Sequence, residues 1–165
     1  MNAIFSRTSV RNYEDRPVEE AKIEKILRAG MAAPSAMNQQ PWEFYVVTDK
    51  KALQALSEAS PYTGMTAEAA AALVLCSRKE GVLVPDLVDV DMSLATENIL
   101  LEIEEQGLGG VMLGIAPFAD RMEKVAKAIN VPDNLSVFTV IPFGYPVKKN
   151  PQQDRYDASR VHYVK

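Results

Sequence analysis

The sequence predicts one domain of mixed helix and strand, and three observations predict it. Stretches with helical apolar spacing (17–33, 89–106 and 119–130) alternate with runs rich in aromatic and β-branched residues (43–48, 73–76 and 135–143). A length of 165 residues suits one domain and is enough to bury a real core. With 47% hydrophobic and 24% charged residues, the composition is that of an ordinary globular protein.

Bulk properties also exclude function classes. The net charge of -4 and pI near 5.1 oppose nucleic-acid binding, which calls for a basic surface. No apolar run approaches the roughly 20 residues that span a bilayer. Residues 1–11 are polar and carry no leader-like apolar segment, so a cytoplasmic location is expected. Cys76 is the only cysteine and His162 the only histidine. An internal disulfide and a cysteine zinc site are therefore excluded, and histidine-based catalysis is a poor bet.

Taken in order, the chain opens on Arg7-Thr-Ser-Val-Arg11. Extended, it turns Arg7, Ser9 and Arg11 to one side and Thr8 and Val10 to the other. Three converging donors suit a phosphate, whereas a lone basic string is more often a solvated face. Residues 17–33 read as a helix, with Pro17 at its first position, Glu19 and Glu20 at the favourable dipole end, and Pro34 as its stop. Pro34-Ser-Ala-Met-Asn-Gln-Gln-Pro-Trp42 is a loop by composition. Its amides can read the edge of a heterocycle, and Trp42 is a core anchor.

Residues 43–48 read as a strand, followed by a short helix to 59 that Asp49 caps and that turns Leu53 and Leu56 inward. Residues 61–64 are a turn. The alanine-rich 67–72 reads as helix and 73–76 as a buried strand, with Cys76 a small core residue. Pro85 leaves 82–88 without a regular element. The longest helix, 89–106, carries Met92, Ala95, Ile99 and Ile103 on one face, with Leu94 and Leu101 as a second stripe. Such a helix is central or lies at a subunit interface. Thr96 and Asn98 on it are structural, and Glu102, Glu104 and Glu105 form a solvated face.

Gly107-Leu-Gly-Gly110 is a helix stop, because a helix precedes it and Met112 stands where a dinucleotide fingerprint needs its last glycine. A short strand covers 111–115. Gly114 and Pro117 shape a turn where backbone can approach a ligand. A helix runs to Asn130, a strand spans 135–143, and 144–146 turns the chain. Residues 148–160 have no stable period, and 161–164 read as a last short strand. This tail has too little apolar content to fold alone, so a second subunit is a natural support.

No phosphate loop, HExxH or GxSxG motif is present, and Ser9 and Ser35 have no histidine base nearby. Anion and amide recognition without an acid–base or nucleophilic centre fits a protein whose bound cofactor carries the chemistry. No side chain is assigned as catalytic.

With both loops in view, the chain resembles the nitroreductase family of FMN-dependent oxidoreductases. The resemblance rests on Arg7–Arg11, Ala33-Pro-Ser-Ala-Met-Asn-Gln-Gln-Pro-Trp42, Glu97-Asn98, Gly107–Gly110, Leu113-Gly-Ile-Ala-Pro117, Phe143-Gly-Tyr-Pro146 and the Arg155 tail, in the family's order. It implies an α+β fold: a mixed, mostly antiparallel sheet flanked by helices, in an intertwined homodimer. FMN would lie at the dimer interface. Residues 1–165 would form a single FMN-binding domain, with about 147–165 laid on the partner.

The resemblance also assigns roles. Arg7, Ser9 and Arg11, with Thr8 adjacent, match the phosphate and ribityl clamp, and Arg155 the tail arginine that completes it. Pro34, Ser35, Ala36 and Asn38 match the loop that meets the flavin from the other subunit. Gly114, Ile115 and Ala116 match the segment near the flavin's redox edge. Tyr62–Met65 lacks the Asn and Lys that longer relatives set against the ring. The implied activity is ping-pong hydride transfer from NADH or NADPH, through flavin N5, to a nitroaromatic, quinone or similar acceptor. Related activities on this fold are flavin fragmentation and dehalogenation, and a flavin-binding dimer without catalysis is the reading from another class.

Overall fold

The computed structural model describes residues 2–149, 151 and 154–165. Its centre is a sheet in which β1 (Trp42–Val47), β2 (Ala71–Arg78) and β5 (Leu135–Gly144) pair antiparallel. Two-residue strands β3 (Gly109–Gly110) and β4 (Leu113–Gly114) both pair with β5, also antiparallel. The order is β1-β2-β5-β3, with β4 beside β5. A parallel bridge from Ser9 to Gly110 makes the sheet mixed. The expected α+β architecture is thus the observed one.

Both faces of the sheet are covered. Leu73 and Leu75 of β2 face one way and pack with Ile26 of α2 (Glu20–Met31) and with Met92, Ile99 and Ile103 of α4 (Val88–Glu105). Ala72, Val74 and Cys76 face the other way, towards Leu53 and Leu56 of α3 (Lys50–Ser57) and Val125 of α5 (Ala119–Ile129). Burial on both faces explains why β2 and β5 read as near-continuous apolar runs. The register slips between Leu75 and Cys76, whose partners are Thr139 and Val137. A bulge there bends the strand and increases the local twist.

Local chemistry sets most boundaries. Asp49 caps α3 by accepting from the Ala52 N–H at 2.9 Å. Asn130 ends α5 in the left-handed region at φ 55, and Gly107 does the same after α4 at φ 72. Several expectations shift. Pro17 lies ahead of the helix it was to open, since α2 starts at Glu20 behind Glu19. The alanine-rich 67–72 is not helical: a 3-10 turn ends at Glu68, and Ala71 and Ala72 pair with Phe143 and Pro142 as strand. Sheet pairing overrides alanine's helix propensity. A four-residue helix, α1 (Ala3–Ser6), precedes the Arg7 string.

Of the glutamates at the end of α4, Glu105 is exposed and Glu102 half-buried, but Glu104 departs from the expected solvated face. Glu104 is buried and paired with Lys149 at 2.8 Å, and Glu105 accepts from the Ala3 N–H at 3.1 Å. Residues 161–164 form no strand in this chain; a 3-10 turn (Ala158–Arg160) precedes them, and 154–165 are exposed throughout. Of the tail expected to cross to a partner, residues 150, 152 and 153 lie outside the described residues. Among the described residues no helix is long and apolar enough to cross a membrane.

Candidate active site

The Arg7 string is tied to the middle of the molecule. Val10 is buried, and its N–H donates to the Gly110 carbonyl at 3.0 Å. Glu14 and Val147 then exchange backbone bonds with Tyr145 and Asn12, which anchors the chain on both sides. The Tyr13 hydroxyl donates to the Val10 and Pro142 carbonyls at 2.7 and 3.0 Å, and burial raises its pKa far above the usual phenol range. With Val10 inward, Ser9 and Arg11 are exposed, as the alternation predicts. Arg7 diverges from them. It is half-buried and pairs with Glu97 of α4 at 3.7 Å.

Arg11 borders an open cleft of about 470 Å³. Val111–Gly114 forms one wall, and Pro61, Tyr62, Gly64 and Met65 form another. The cleft therefore joins Arg11 to Gly114, two of the expected ligand residues. Within the Gly114 segment, the Ala116 N–H is committed to the Phe138 carbonyl at 2.9 Å, and Pro117 has none. A backbone donor for a ligand there must come from Gly114 or Ile115. Ile115 is fully buried and Gly114 is exposed.

The 34–40 loop lies elsewhere and does not border this cleft. It hangs on Asp91, a buried carboxylate near the start of α4. Asp91 accepts from the Ala36 N–H at 2.9 Å and from Gln39 Nε2 at 2.7 Å. Gln39 is itself held at Val84, whose N–H donates to Gln39 Oε1 at 2.9 Å. Ser35 accepts from the Gln40 N–H, and Asn38 from the Gln40 side chain. Three residues of this short loop (Met37, Asn38 and Gln40) have φ between 44 and 53. Non-glycine residues in that region carry strain and gather where function needs a fixed backbone. Pro34 and Met37 are exposed at its surface.

Arg155 is exposed in the tail, and every described hydrogen bond of 154–165 is local, such as Asp157 accepting from Ser159. The chain thus brings Arg11 and Gly114 together at a cleft, with Ser9 exposed two residues before Arg11 and outside its lining. It pairs Arg7 with Glu97 of α4, outside the cleft lining, and holds Ser35, Ala36 and Asn38 away from the cleft. Cys76 stays out of the chemistry: burial, with a smaller push from Glu43, raises its thiol to about 12.

Sequence reasoning missed Arg121. Its NH1 donates to the Gly114 carbonyl at 2.7 Å. Its guanidinium lies 4.0 Å from the Phe118 ring centroid and 5.6 Å from that of Tyr62. No motif marks it, and only the fold brings α5 to the end of β4.

A pocket of this size with a few convergent polar groups is the usual form of a cofactor site. The chemistry of the donors fits FMN. An exposed arginine and serine can meet a phosphate, backbone at Gly114 is open to a flat ring, and the cleft volume suffices. Among the described residues no group of three or more His, Cys, Asp or Glu side chains is placed to hold a metal.

The chain is similar to known proteins over its whole length. The family model described as Nitroreductase family matches residues 4–87 and 62–145. A protein of Archaeoglobus fulgidus provisionally named NADH dehydrogenase/NAD(P)H nitroreductase is 40% identical over 169 residues, covering all of this chain and 97% of the relative. The crystal structure of a Clostridium acetobutylicum protein provisionally named NADH oxidase superposes with a TM-score of 0.95 at 43% identity, covering 99% of each chain. An FMN-dependent nitroreductase from Clostridium difficile R20291 gives a TM-score of 0.92 at 29% identity, covering 99% of this chain and 98% of its own.

Proposed function

Because the chain belongs to the nitroreductase family, we propose that it is an FMN-dependent oxidoreductase that passes a hydride from NADH or NADPH to an electron acceptor. The observation that carries this reading is the cleft that joins Arg11 to the Gly114 backbone. Bound FMN would supply the redox chemistry, taking a hydride from the nicotinamide and passing reducing equivalents to a nitroaromatic, quinone or similar acceptor in two half-reactions.

The residues of this chain bind and orient. Arg11 and Ser9, with Thr8 beside them, hold the phosphate and ribityl end, and Arg7 adds charge from its place on Glu97. Gly114 and Ile115 border the ring, with Ala116 fixing their backbone through its bond to Phe138. No side chain needs to act as acid or base.

The site is completed by a second copy. Leu87, Val90 and Leu94 leave an exposed apolar stripe at the start of α4, and Phe5 of α1 is 72% exposed. Exposed apolar groups in such number mark an interaction surface. A two-fold homodimer on this face lets the rigid 34–40 loop of one subunit serve the cleft of the other, through Pro34, Ser35, Ala36 and Asn38. Val147 and Lys149 stay on their own chain through Asn12 and Glu104; the tail beyond them, exposed over 154–165, lies on the partner and brings Arg155 to the phosphate. Residues 1–165 then act as one flavin-binding unit per subunit.

The test is a flavin titration followed by turnover. The purified chain is expected to take up FMN with an absorbance band near 450 nm and to oxidise NADH or NADPH when menadione or a nitroaromatic is added. Arg11→Ala removes a charge-assisted contact worth about 1.5–3 kcal/mol, so FMN affinity falls about 10- to 100-fold. Arg155→Ala weakens binding similarly if the tail reaches the phosphate. Unchanged affinity in Arg7→Ala, Arg11→Ala and Arg155→Ala together refutes the phosphate assignment.

A further inference from the structure

The cleft has Arg11 in its lining at one end and, at the other, Gly114, whose carbonyl is held by Arg121 from outside the lining. Arg11 stands where the chain bonds to Gly110, which pairs with Phe143 of β5. Arg121 stands at Gly114, which pairs with Thr139. Four residues of β5 separate the two positions, or about 13 Å. Neither arginine has an ion-pair partner among the described residues. Arg11 is accounted for by a phosphate; nothing in the binding scheme yet uses Arg121.

Its surroundings fix it. One guanidinium nitrogen donates to Gly114, while the Phe118 and Tyr62 rings take up its faces. Cation–π contact of this kind orients a guanidinium without neutralising its charge. The remaining N–H groups have no described acceptor. Tyr62 and Met65, which also wall the cleft, offer no positive charge. Arg121 is therefore the cation nearest the backbone that would border the flavin ring.

We propose that Arg121 is a positioning and redox-tuning residue, whose charge favours the reduced flavin over the oxidised one. The proposal rests on FMN occupying this cleft. A hydride brings two electrons and one proton from the reduced nicotinamide, which leaves as the oxidised nicotinamide. A ring that gains it and no further proton carries one added negative charge. A held guanidinium at the ring end of the cleft stabilises that charge and does little for the neutral oxidised ring. Arg121 also holds the Gly114 carbonyl, which fixes the backbone at the same edge.

The test compares FMN-loaded parent with Arg121→Met, Arg121→Gln and Arg121→Lys, and reads two quantities that need no turnover. The first is the dissociation constant for oxidised FMN, and the second is the midpoint potential, measured by equilibration with a reference dye. Both charge-free variants are expected to keep oxidised FMN affinity within about threefold. Their preference for reduced over oxidised flavin falls about tenfold, a drop of about 30 mV for a two-electron couple. Arg121→Lys keeps most of the parent potential. Equal potentials in parent and both charge-free variants overturn the assignment, as does an equal loss of affinity for both flavin states. A parent chain that takes up no FMN overturns the binding reading instead, and the assignment with it. Arg121→Gln retains a donor for Gly114, so it separates loss of charge from loss of the hydrogen bond.

Discussion

A single methyl group at Gly109 tests whether the N-terminal arm and the cleft are one mechanical unit. Gly109 is buried in β3, and a Cβ there would sit 2.5 Å from Val10 Cγ2, 2.7 Å from Val10 Cβ and 3.0 Å from Val10 Cγ1. A rotamer change can move the two γ carbons but not the Cβ, so Gly109→Ala must move backbone. That backbone is the arm itself, pinned through Val10 N–H to Gly110 and carrying Ser9 and Arg11. Overpacking of this kind costs about 1–3 kcal/mol, and the immovable Cβ contact puts this case at about 2–3 kcal/mol. For a chain of this length the melting temperature falls by about 5–10 °C. Thermal melts and denaturant midpoints at unchanged slope read the stability, and a flavin titration reads the site. FMN affinity should fall about tenfold as Arg11 shifts, since a bond to a charged group is worth about 1.5–3 kcal/mol. Adding Val10→Ala removes two of the three contacts and restores part of both losses, a coupling of about 1 kcal/mol. A Gly109→Ala chain that melts within about 1 °C of the parent and binds FMN equally well refutes the reasoning.

Other perturbations reach other parts of the site. Asp91→Ala strips the Ala36 N–H and Gln39 of their acceptor. The expected cost is about 1–3 kcal/mol in denaturant unfolding, with faster proteolysis confined to 34–40. Asp91→Ala melting with the parent and cut no faster means the loop is held by something else. Leu94→Glu places a charge on the exposed stripe of α4 and should leave a folded monomer that binds FMN poorly, read by sedimentation and titration. A dimer of unchanged affinity moves the interface off α4. Cys76 should resist a thiol reagent at pH 8 and react fully after unfolding, because the thiolate is the reactive form and burial holds the thiol near 12. Prompt labelling of the native chain contradicts that burial.

The fold was legible where a local rule and a tertiary requirement agree. Asp49, Leu53 and Leu56 predict a capped helix with one buried edge, and α3 has both. The stripe of Met92, Ala95, Ile99 and Ile103 predicts the face α4 buries. Disagreement appears where the two conflict. Ala71 and Ala72 favour helix locally, yet a sheet buried on both faces needs small residues opposite Phe143 and Pro142. Glu104 looked solvated because its partner, Lys149, lies 45 positions away. The tail residues 161–164 have strand composition and no strand, since a strand needs an edge to join. Within the site, Arg11 and Gly114 carried recognisable motifs, whereas Arg121 became visible only once β4 had been set against α5.

The 34–40 loop gives the best physical reason for a site shared between copies of the chain. It keeps Met37, Asn38 and Gln40 in the left-handed region, at a cost of about 1 kcal/mol or more apiece. Asp91 and Gln39 are buried polar groups whose bonds go to holding it, and Arg78 adds bonds to the Gln39 and Gln40 carbonyls. Yet the tip so fixed, Met37, is 74% exposed and does not line the cleft at Arg11. A relaxed loop would be cheaper if nothing used its shape. Rigidity turned outward suits contact with another molecule, and the apolar stripe on the same helix that carries Asp91 would give the proposed second copy a place to sit. The loop's strain, the open cleft at Arg11 and the uncovered face of α4 then have one common explanation.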